Sequence, residues 1–452
     1  MVFWSRAALV VVLGAGGILA CGGCSAPPQQ APPPANILLL VVDCLRADRV
    51  GAAASYSRAV APRLEALAAA GTRFTRAFAQ ASWTRPSVPT LLTGLYPSEH
   101  GLGAFLQEGD EVMGGSLSPA AVTVAEALRA LGYSTALFAQ QNQLAPRFGL
   151  DQGFDVYDHK ASRAAHIHEE LLGWLDAEPK RPFFAYLHYL ELHWPYCAPP
   201  ATRGVFTAGY QGRPLCADWR RLREDIRSGA VTLAPEEVDA MRGQYDEELL
   251  ALDGEIGLLF DRLRERGLWD DTLIVLTSDH GEEFFEHGGM AHGTSLYDEL
   301  IHVPMVLKPP ASWGTTAGSA VNALVEHRDL LPTFIDAAGT TPAPTGDRRS
   351  LRQRMLGGGD GEREFVVAEL GDTIAVRTLD HKLIVERGTP GQLFDLARDP
   401  GELHDVAGEN EATVTRLESF LRRWRAGLHP IKPGAETLDD ETVEGLRALG
   451  YL

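Results

Sequence analysis

The 452-residue sequence is short of cysteine, of basic charge and of long apolar runs, and each shortage excludes something. Five cysteines are too few for a scaffold built from disulfides. Its 41 Lys and Arg stand against 60 Asp and Glu, a net charge of −19. A surface so acidic repels phosphate backbones, which argues against a nucleic-acid binder held by its overall field. Beyond Cys24 no stretch approaches the roughly 20 apolar residues of a membrane span. Internal repeats and blocks of like charge are also missing. What is present, 45% hydrophobic and 22% charged residues, suits a globular protein and not a disordered, collagen-like or coiled-coil one.

At the N-terminus, Arg6 precedes an apolar stretch from Ala7 to Ala20 that is too short and glycine-rich for a comfortable span. It ends in Ile18-Leu19-Ala20-Cys21, which resembles a bacterial lipoprotein signal with Cys21 as the lipidated residue. Leu19 is unusual at its place in that motif, Cys24 is a poorer second choice, and a plain signal peptide or uncleaved anchor is the other reading. Residues 22–35 are Pro-rich, favour extended polyproline conformation and bury nothing, as a tether would. The expected location is therefore the bacterial cell envelope, periplasmic or cell-surface, with membrane contact through the N-terminal lipid only. An exported chain can form disulfides, and Cys197 and Cys216, in loop-like sequence 19 positions apart, are expected to pair.

Asn36–Val42 (NILLLVV) is a continuous apolar run, as expected of a strand buried on both faces of a parallel sheet. Ser134–Ala139, Phe183–His188, Thr272–Thr277 and Val303–Lys308 read as further buried strands. Helical spacing covers Pro62–Ala70, Ala120–Leu131, Ala164–Leu175 and Glu236–Arg266. The alternation predicts an α/β fold, a doubly wound and mostly parallel sheet flanked by helices, over residues 36–340. From 341 to 452 the texture changes. Phe365–Ala368, Thr373–Thr378, His381–Glu386 and Gln392–Asp395 predict a smaller antiparallel sheet, followed by a helix over Glu411–Gly427.

Ligands in open α/β sheets bind beyond the carboxyl ends of the strands. Asp43 follows the first strand there, Glu191-Leu-His193-Trp-Pro follows Phe183–His188, and Asp279-His280-Gly-Glu282 follows Thr272–Thr277. Two carboxylates and an imidazole launched from strand ends can converge on one divalent cation. Thr84, ahead of Pro86 and an apolar segment, suits the start of a helix. A side-chain oxygen there gains from the positive helix end and from a metal beside it.

Several stretches together make the chain resemble the sulfatase family, within the alkaline phosphatase superfamily. They are Asn36–Asp48 (NILLLVVDCLRAD), Thr84–Gly94 with Tyr96-Pro97 and His100-Gly101, His193-Trp-Pro-Tyr196, and Thr277-Ser-Asp-His-Gly-Glu-Glu283. His292-Gly293, Tyr297-Asp-Glu299, Val303-Pro304 with Lys308, Leu393-Phe-Asp-Leu396 and Asp399-Pro-Gly-Glu402 continue it. The resemblance implies an alkaline phosphatase-like fold and cleavage of sulfate esters. Family members use a formylglycine made from the Cys or Ser that opens a C/S-x-P-S-R motif. Here the matching position is Thr84, which cannot form the aldehyde, and Val88 replaces the motif's Arg. The paired aspartates of many members appear as Asp43-Cys44, and their Lys-containing segment is not evident in Phe138–Gln143 (FAQQNQ).

Threonine is nonetheless the nucleophile in superfamily relatives that act on phosphodiesters or transfer phospho-head groups. The resemblance therefore implies Thr84 as nucleophile and metal ligand, and Asp43, Asp279 and His280 as further ligands of one divalent metal. That metal is calcium in a sulfatase-like enzyme, manganese or zinc in a phosphodiesterase-like one. His193 and Lys308 match anion-contacting and leaving-group residues, and His292 a substrate contact or a ligand of a second ion. The expected substrate is a small-molecule, glycan or lipid ester of sulfate or phosphate. The other readings are a phosphodiesterase, a phospho-head-group transferase, or a catalytically inactive binding lipoprotein.

Overall fold

The computed structural model describes residues 34–51, 58–108, 111–177, 182–216, 219–342, 347–358 and 363–449. Cys21 and the other residues up to 33, over which a signal and tether are expected, lie outside them. Among the described residues no helix is long and apolar enough to cross a membrane.

The centre is an eight-stranded sheet. In chain order its strands are β1 (Asn36–Val42), β2 (Thr72–Phe78), β3 (Ser134–Ala139), β4 (Val156–Asp158), β5 (Phe183–Tyr189), β6 (Thr272–Thr277), β7 (Met305–Lys308) and β8 (Ser319–Glu326). Their spatial order is β8-β2-β7-β6-β1-β5-β3-β4. Every pairing is parallel except those of β7, which runs antiparallel to both β2 and β6. All seven residues of β1 are buried. Its side chains alternate between two cores: Leu38, Leu40 and Val42 enter one, Ile37, Leu39 and Val41 the other.

The first core is covered by α1 (Pro62–Ala70), α4 (Ala164–Asp176) and α6 (Pro235–Glu265), through residues such as Leu64, Ile167 and Ile256. The second is covered by α2 (Thr84–Thr93), α3 (Val124–Ala130) and α7 (Leu330–Ala337), through Val88, Leu128 and Phe334. Each such side chain, fully buried, contributes about 1.5–3 kcal/mol relative to exposure. The helix expected over Ala120–Leu131 starts only at Val124. Thr123 caps it, accepting the Glu126 N–H at 3.1 Å while the Glu126 carboxylate accepts the Thr123 N–H at 2.9 Å.

Beyond α7, strands β9 (Val366–Leu370), β10 (Thr373–Arg377), β11 (His381–Glu386) and β12 (Gln392–Asp395) form an antiparallel sheet in sequential order. Helix α8 (Glu411–Ala426) packs on it through Leu417 and Leu421 against Ile374, Val376 and Leu383. The opposite face, with Val366 and Ala375, meets Phe78, Leu300 and Leu324 of the large sheet and its loops. Buried ion pairs reinforce that seam. Lys382 meets Asp298 at 3.0 Å and Glu402 at 2.8 Å, and Arg363 meets Asp329 at 2.7 Å. The chain then returns to the large α/β unit. Gly434–Thr437 pairs with residues 113–116, and Leu438, Val443 and Leu446 enter the second core.

Candidate active site

The carboxyl ends of four adjacent strands, β6, β1, β5 and β3, deliver the polar residues of one buried cluster. Asp43 leaves β1 with its N–H donated to the Tyr189 carbonyl at 2.9 Å, so the strand end is still clamped to its neighbour. The chain turns at once, with Cys44 in the left-handed region (φ 62°). Ser278 holds that turn, accepting the Leu45 N–H at 2.9 Å, while Tyr245 Oη donates to the Cys44 carbonyl at 2.9 Å. Asp279 and His280 follow β6, and Thr84 opens α2 against them.

The donor atoms stand close together. Thr84 Oγ1 is 3.4 Å from Asp43 Oδ2 and 3.3 Å from His280 Nε2. His280 Nε2 is 3.3 Å from Asp43 Oδ1 and 3.4 Å from Asp279 Oδ2. All of these side chains are fully buried. His280 Nδ1 faces the Gly281 carbonyl at 2.9 Å, which leaves Nε2 for the cluster.

Burial raises the Asp43 carboxyl, but His188, His280 and His193 outweigh it and hold the group well below the usual carboxylate range. Burial and the Asp43 charge push Asp279 upward. Two buried carboxylates with ligand atoms within 4.8 Å of each other therefore compete for one positive charge. Asp279 Oδ2 is buried without a hydrogen-bond partner among the described residues. Donors around one cation at about 2.1 Å stand about 3.4 Å apart in a tetrahedral arrangement, which is the spacing seen here. Asp43, Thr84, Asp279 and His280 thus fit a divalent metal ion.

Two supporting residues were not singled out from the sequence. Gln141, just past β3, donates Nε2 to Asp43 Oδ2 at 2.8 Å. His188, the penultimate residue of β5, places Nε2 3.5 Å from the same oxygen and is oriented through Nδ1 by Tyr186 Oη at 2.8 Å. The polar letters within Phe183–Tyr189 (FFAYLHY) were the available signal for His188. Gln141 lies in the segment noted only for its missing lysine.

The remaining sequence candidates divide. His193 and His292 do reach the cluster: their ring centroids are 4.9 Å apart, and His292 is 4.4 Å from His280. Burial pushes the His193 imidazole down to about 4. Burial also opposes the charge on His292, but Glu282, at 3.1 Å from its Nδ1, raises it on balance. Cys44 is a free, buried thiol, kept protonated by burial and by Glu282, and it donates to Asp43 Oδ1 at 3.1 Å. Val88 is fully buried in the second core.

Lys308 does not reach the cluster, a correction to the expected role. It ends β7, pairs with Ile274 near the start of β6, and donates Nζ to the carbonyls of Trp269 and, at 3.0 Å, Thr272. Because β7 is antiparallel, its carboxyl end lies at the opposite edge of the sheet. Glu191 is also structural, accepting the Ala164 N–H at the start of α4 at 2.7 Å. His287 stacks on Tyr297 with ring centroids 3.5 Å apart and bonds Glu299 at 2.6 Å. Cys197 and Cys216 are joined by a disulfide.

A family model described as Sulfatase matches residues 35–340. Among characterised proteins, PehA of Trinickia caryophylli, a multifunctional alkaline phosphatase superfamily protein, is 25% identical over 285 residues. That similarity covers 53% of this chain and about half, 54%, of PehA. Arylsulfatase A of Bos taurus is 27% identical over 439 residues, covering 81% of this chain and 84% of its own length. Among solved structures, the phosphonate monoester hydrolase SpPMH from Silicibacter pomeroyi shares the fold with a TM-score of 0.71 at 23% identity, over 89% of this chain and 99% of that one. Family members use a divalent metal ion, as the cluster here would accept. The chain belongs to the sulfatase family of hydrolases.

Proposed function

We propose that the chain is a metal-dependent hydrolase of sulfate or phosphate-type esters in which Thr84 takes the place of formylglycine as nucleophile. The observation that carries this reading is the position of Thr84 Oγ1, at the first residue of α2 and 3.3–3.4 Å from His280 and Asp43. The N-terminal helix end favours negative charge developing on that oxygen. Asp43 Oδ2 accepts the hydroxyl hydrogen, which orients the oxygen for attack on an ester. A divalent ion held by Asp43, Thr84, Asp279 and His280 would lower the hydroxyl pKa and offset the charge of the transferring group.

Attack by Thr84 Oγ on sulfur or phosphorus breaks the bond to the ester oxygen and leaves a sulfo- or phospho-threonine. Water then cleaves that intermediate and restores the hydroxyl. His193 and His292, side by side at the edge of the cluster, are placed to contact the anion and the leaving oxygen. Gln141 and His188 hold Asp43 in register.

The test is turnover by the full chain on 4-nitrophenyl sulfate, phosphate and phenylphosphonate, with metal analysis of the purified protein. Metal-dependent activity that vanishes in Thr84→Ala supports the reading. Activity that survives Thr84→Ala removes the nucleophile assignment, and absence of any divalent metal requirement removes the metal assignment. A second reading, hydrolysis of phosphodiesters or phosphonate monoesters over sulfates, is favoured by the threonine and by a cluster with Cys44 where a second carboxylate would stand. The same three substrates together with a phosphodiester, bis(4-nitrophenyl) phosphate, decide between them.

We place the protein in the cell envelope, tethered by lipid at Cys21. The Cys197–Cys216 disulfide supports an oxidising compartment. Release of the protein from membranes by Cys21→Ala is the expected result; unchanged fractionation would remove the tether.

A further inference from the structure

A cavity of about 490 Å³ borders the cluster at His292, whose ring centroid is 4.4 Å from that of His280. Trp83 and Pro86, which bracket Thr84 in the chain, form part of its wall, and so does His292. Thr84 itself is fully buried beside this wall, so the rest of a substrate whose ester met it would occupy the cavity. Helix α5 (Trp219–Arg227) contributes Arg223 and Arg227 to the lining.

The placement of these two arginines is specified by the fold. Residues four apart share one face of a helix. Leu222 and Ile226, also four apart, pack into the first core and fix the rotation of α5. The Cys197–Cys216 disulfide anchors the chain shortly before the helix begins. Arg221, on a different face, is paired with Asp225 at 3.7 Å. Arg223 is near enough to His292 for its charge to oppose protonation of that imidazole. The acidic residue in the lining, Glu369, is turned to the backbone, where Oε2 accepts the Ser98 N–H at 3.0 Å.

Arg223 and Arg227 thus present two like charges on the helix face that meets the cavity. The chain as a whole carries −19, so an anionic substrate has to be met locally. We propose that Arg223 and Arg227 bind a second anionic group of the substrate, a carboxylate, sulfate or phosphate set apart from the scissile ester. The substrate class is then a polyanionic ester, its body lying against Trp83. This rests on the reading of Thr84 as the hydrolytic centre.

The test uses the full chain with two independent readouts. The first is kcat/KM for a 4-nitrophenyl ester against its 3-carboxy-4-nitrophenyl counterpart, in wild type, Arg223→Gln/Arg227→Gln and Arg223→Lys/Arg227→Lys. The second is calorimetric binding of benzene-1,3-disulfonate against benzenesulfonate to the same proteins. The expected wild-type preference for the doubly charged compounds is about tenfold at low salt and shrinks as salt screens it. It should fall to about twofold or less in the glutamine pair and persist in part in the lysine pair, which keeps the charge. A wild-type preference that is absent, or that survives the glutamine pair, overturns the proposal. If wild type turns over neither ester, the hydrolase reading fails, and the calorimetric comparison alone decides whether the arginines hold a second anion.

Discussion

At its carboxyl edge the central sheet ends in Asp43, His188, Gln141, Asp279 and His280, all drawn toward one point. At the opposite edge lie Thr272, at the start of β6, Trp269 just before it, and Lys308, the last residue of the antiparallel β7. Lys308 donates to two main-chain carbonyls and lies 4.8 Å from the Trp269 ring centroid. The carboxyl edge holds two carboxylates in competition and leaves Asp279 Oδ2 without a hydrogen-bond partner among the described residues. A polar group buried without a partner costs about 1–3 kcal/mol. The difference teaches where this protein accepts electrostatic cost: at the edge where a cation and an ester would relieve it.

The largest effect expected from breaking that asymmetry is at Thr84. Thr84→Ala should lower kcat by about 10⁴-fold or more, since removing a nucleophile removes the covalent route. Thr84→Ser should keep much of the activity, because the hydroxyl and its helix-end position remain. Steady-state kinetics on the preferred aryl ester checks both, and equal losses in the two variants would show that the hydroxyl is not what matters. Asp279→Asn comes next. It should reduce kcat/KM by about 10²–10³-fold and deplete bound divalent metal, measured by elemental analysis. A variant that retains metal and activity would remove Asp279 from the ligand set.

His188→Gln sharpens the comparison from inside a strand. His188 orients Asp43 without belonging to the proposed ligand set, so metal affinity or activity should fall by about 10–100-fold. Metal titration of the apo-protein reads this directly. A change confined to melting temperature would make His188 a packing residue.

The same comparison explains how far the sequence could be read. Runs such as Asn36–Val42 and Thr272–Thr277 announce strands because both faces are buried. Thr72–Phe78 (TRFTRAF) and Ser319–Glu326 were missed because they lie toward one edge of the sheet and leave Arg73, Thr75 and Asn322 partly in solvent. Asp43, Thr84, Asp279 and His280 were legible because each adjoins a strand end or a helix start. His188 was not, because a histidine inside a strand carries no sign of the direction it faces. Gln141 was not, because its role depends on β3 lying two strands from β1, a pairing that local pattern does not encode.

Lys308 is the instructive failure, and its substitution is the smallest effect expected. Ligands gather at carboxyl ends only where strands are parallel, and β7 is antiparallel, so the end of β7 points away from the chemistry. Lys308→Met should therefore leave kcat/KM within about twofold, as expected for a site outside the machinery. Stability should respond instead. Burial pushes the Lys308 amine down to about 8 from its ordinary 10.5. Between these values the unfolded chain holds the proton more often than the folded one, so folded-state stability rises with pH across that window. In Lys308→Met this part of the rise disappears, which thermal melts between pH 7 and about 10.5 would show as a flatter profile. A tenfold loss of kcat/KM in a folded Lys308→Met variant would mean that the opposite edge takes part in the reaction, and the division between the two edges would fall.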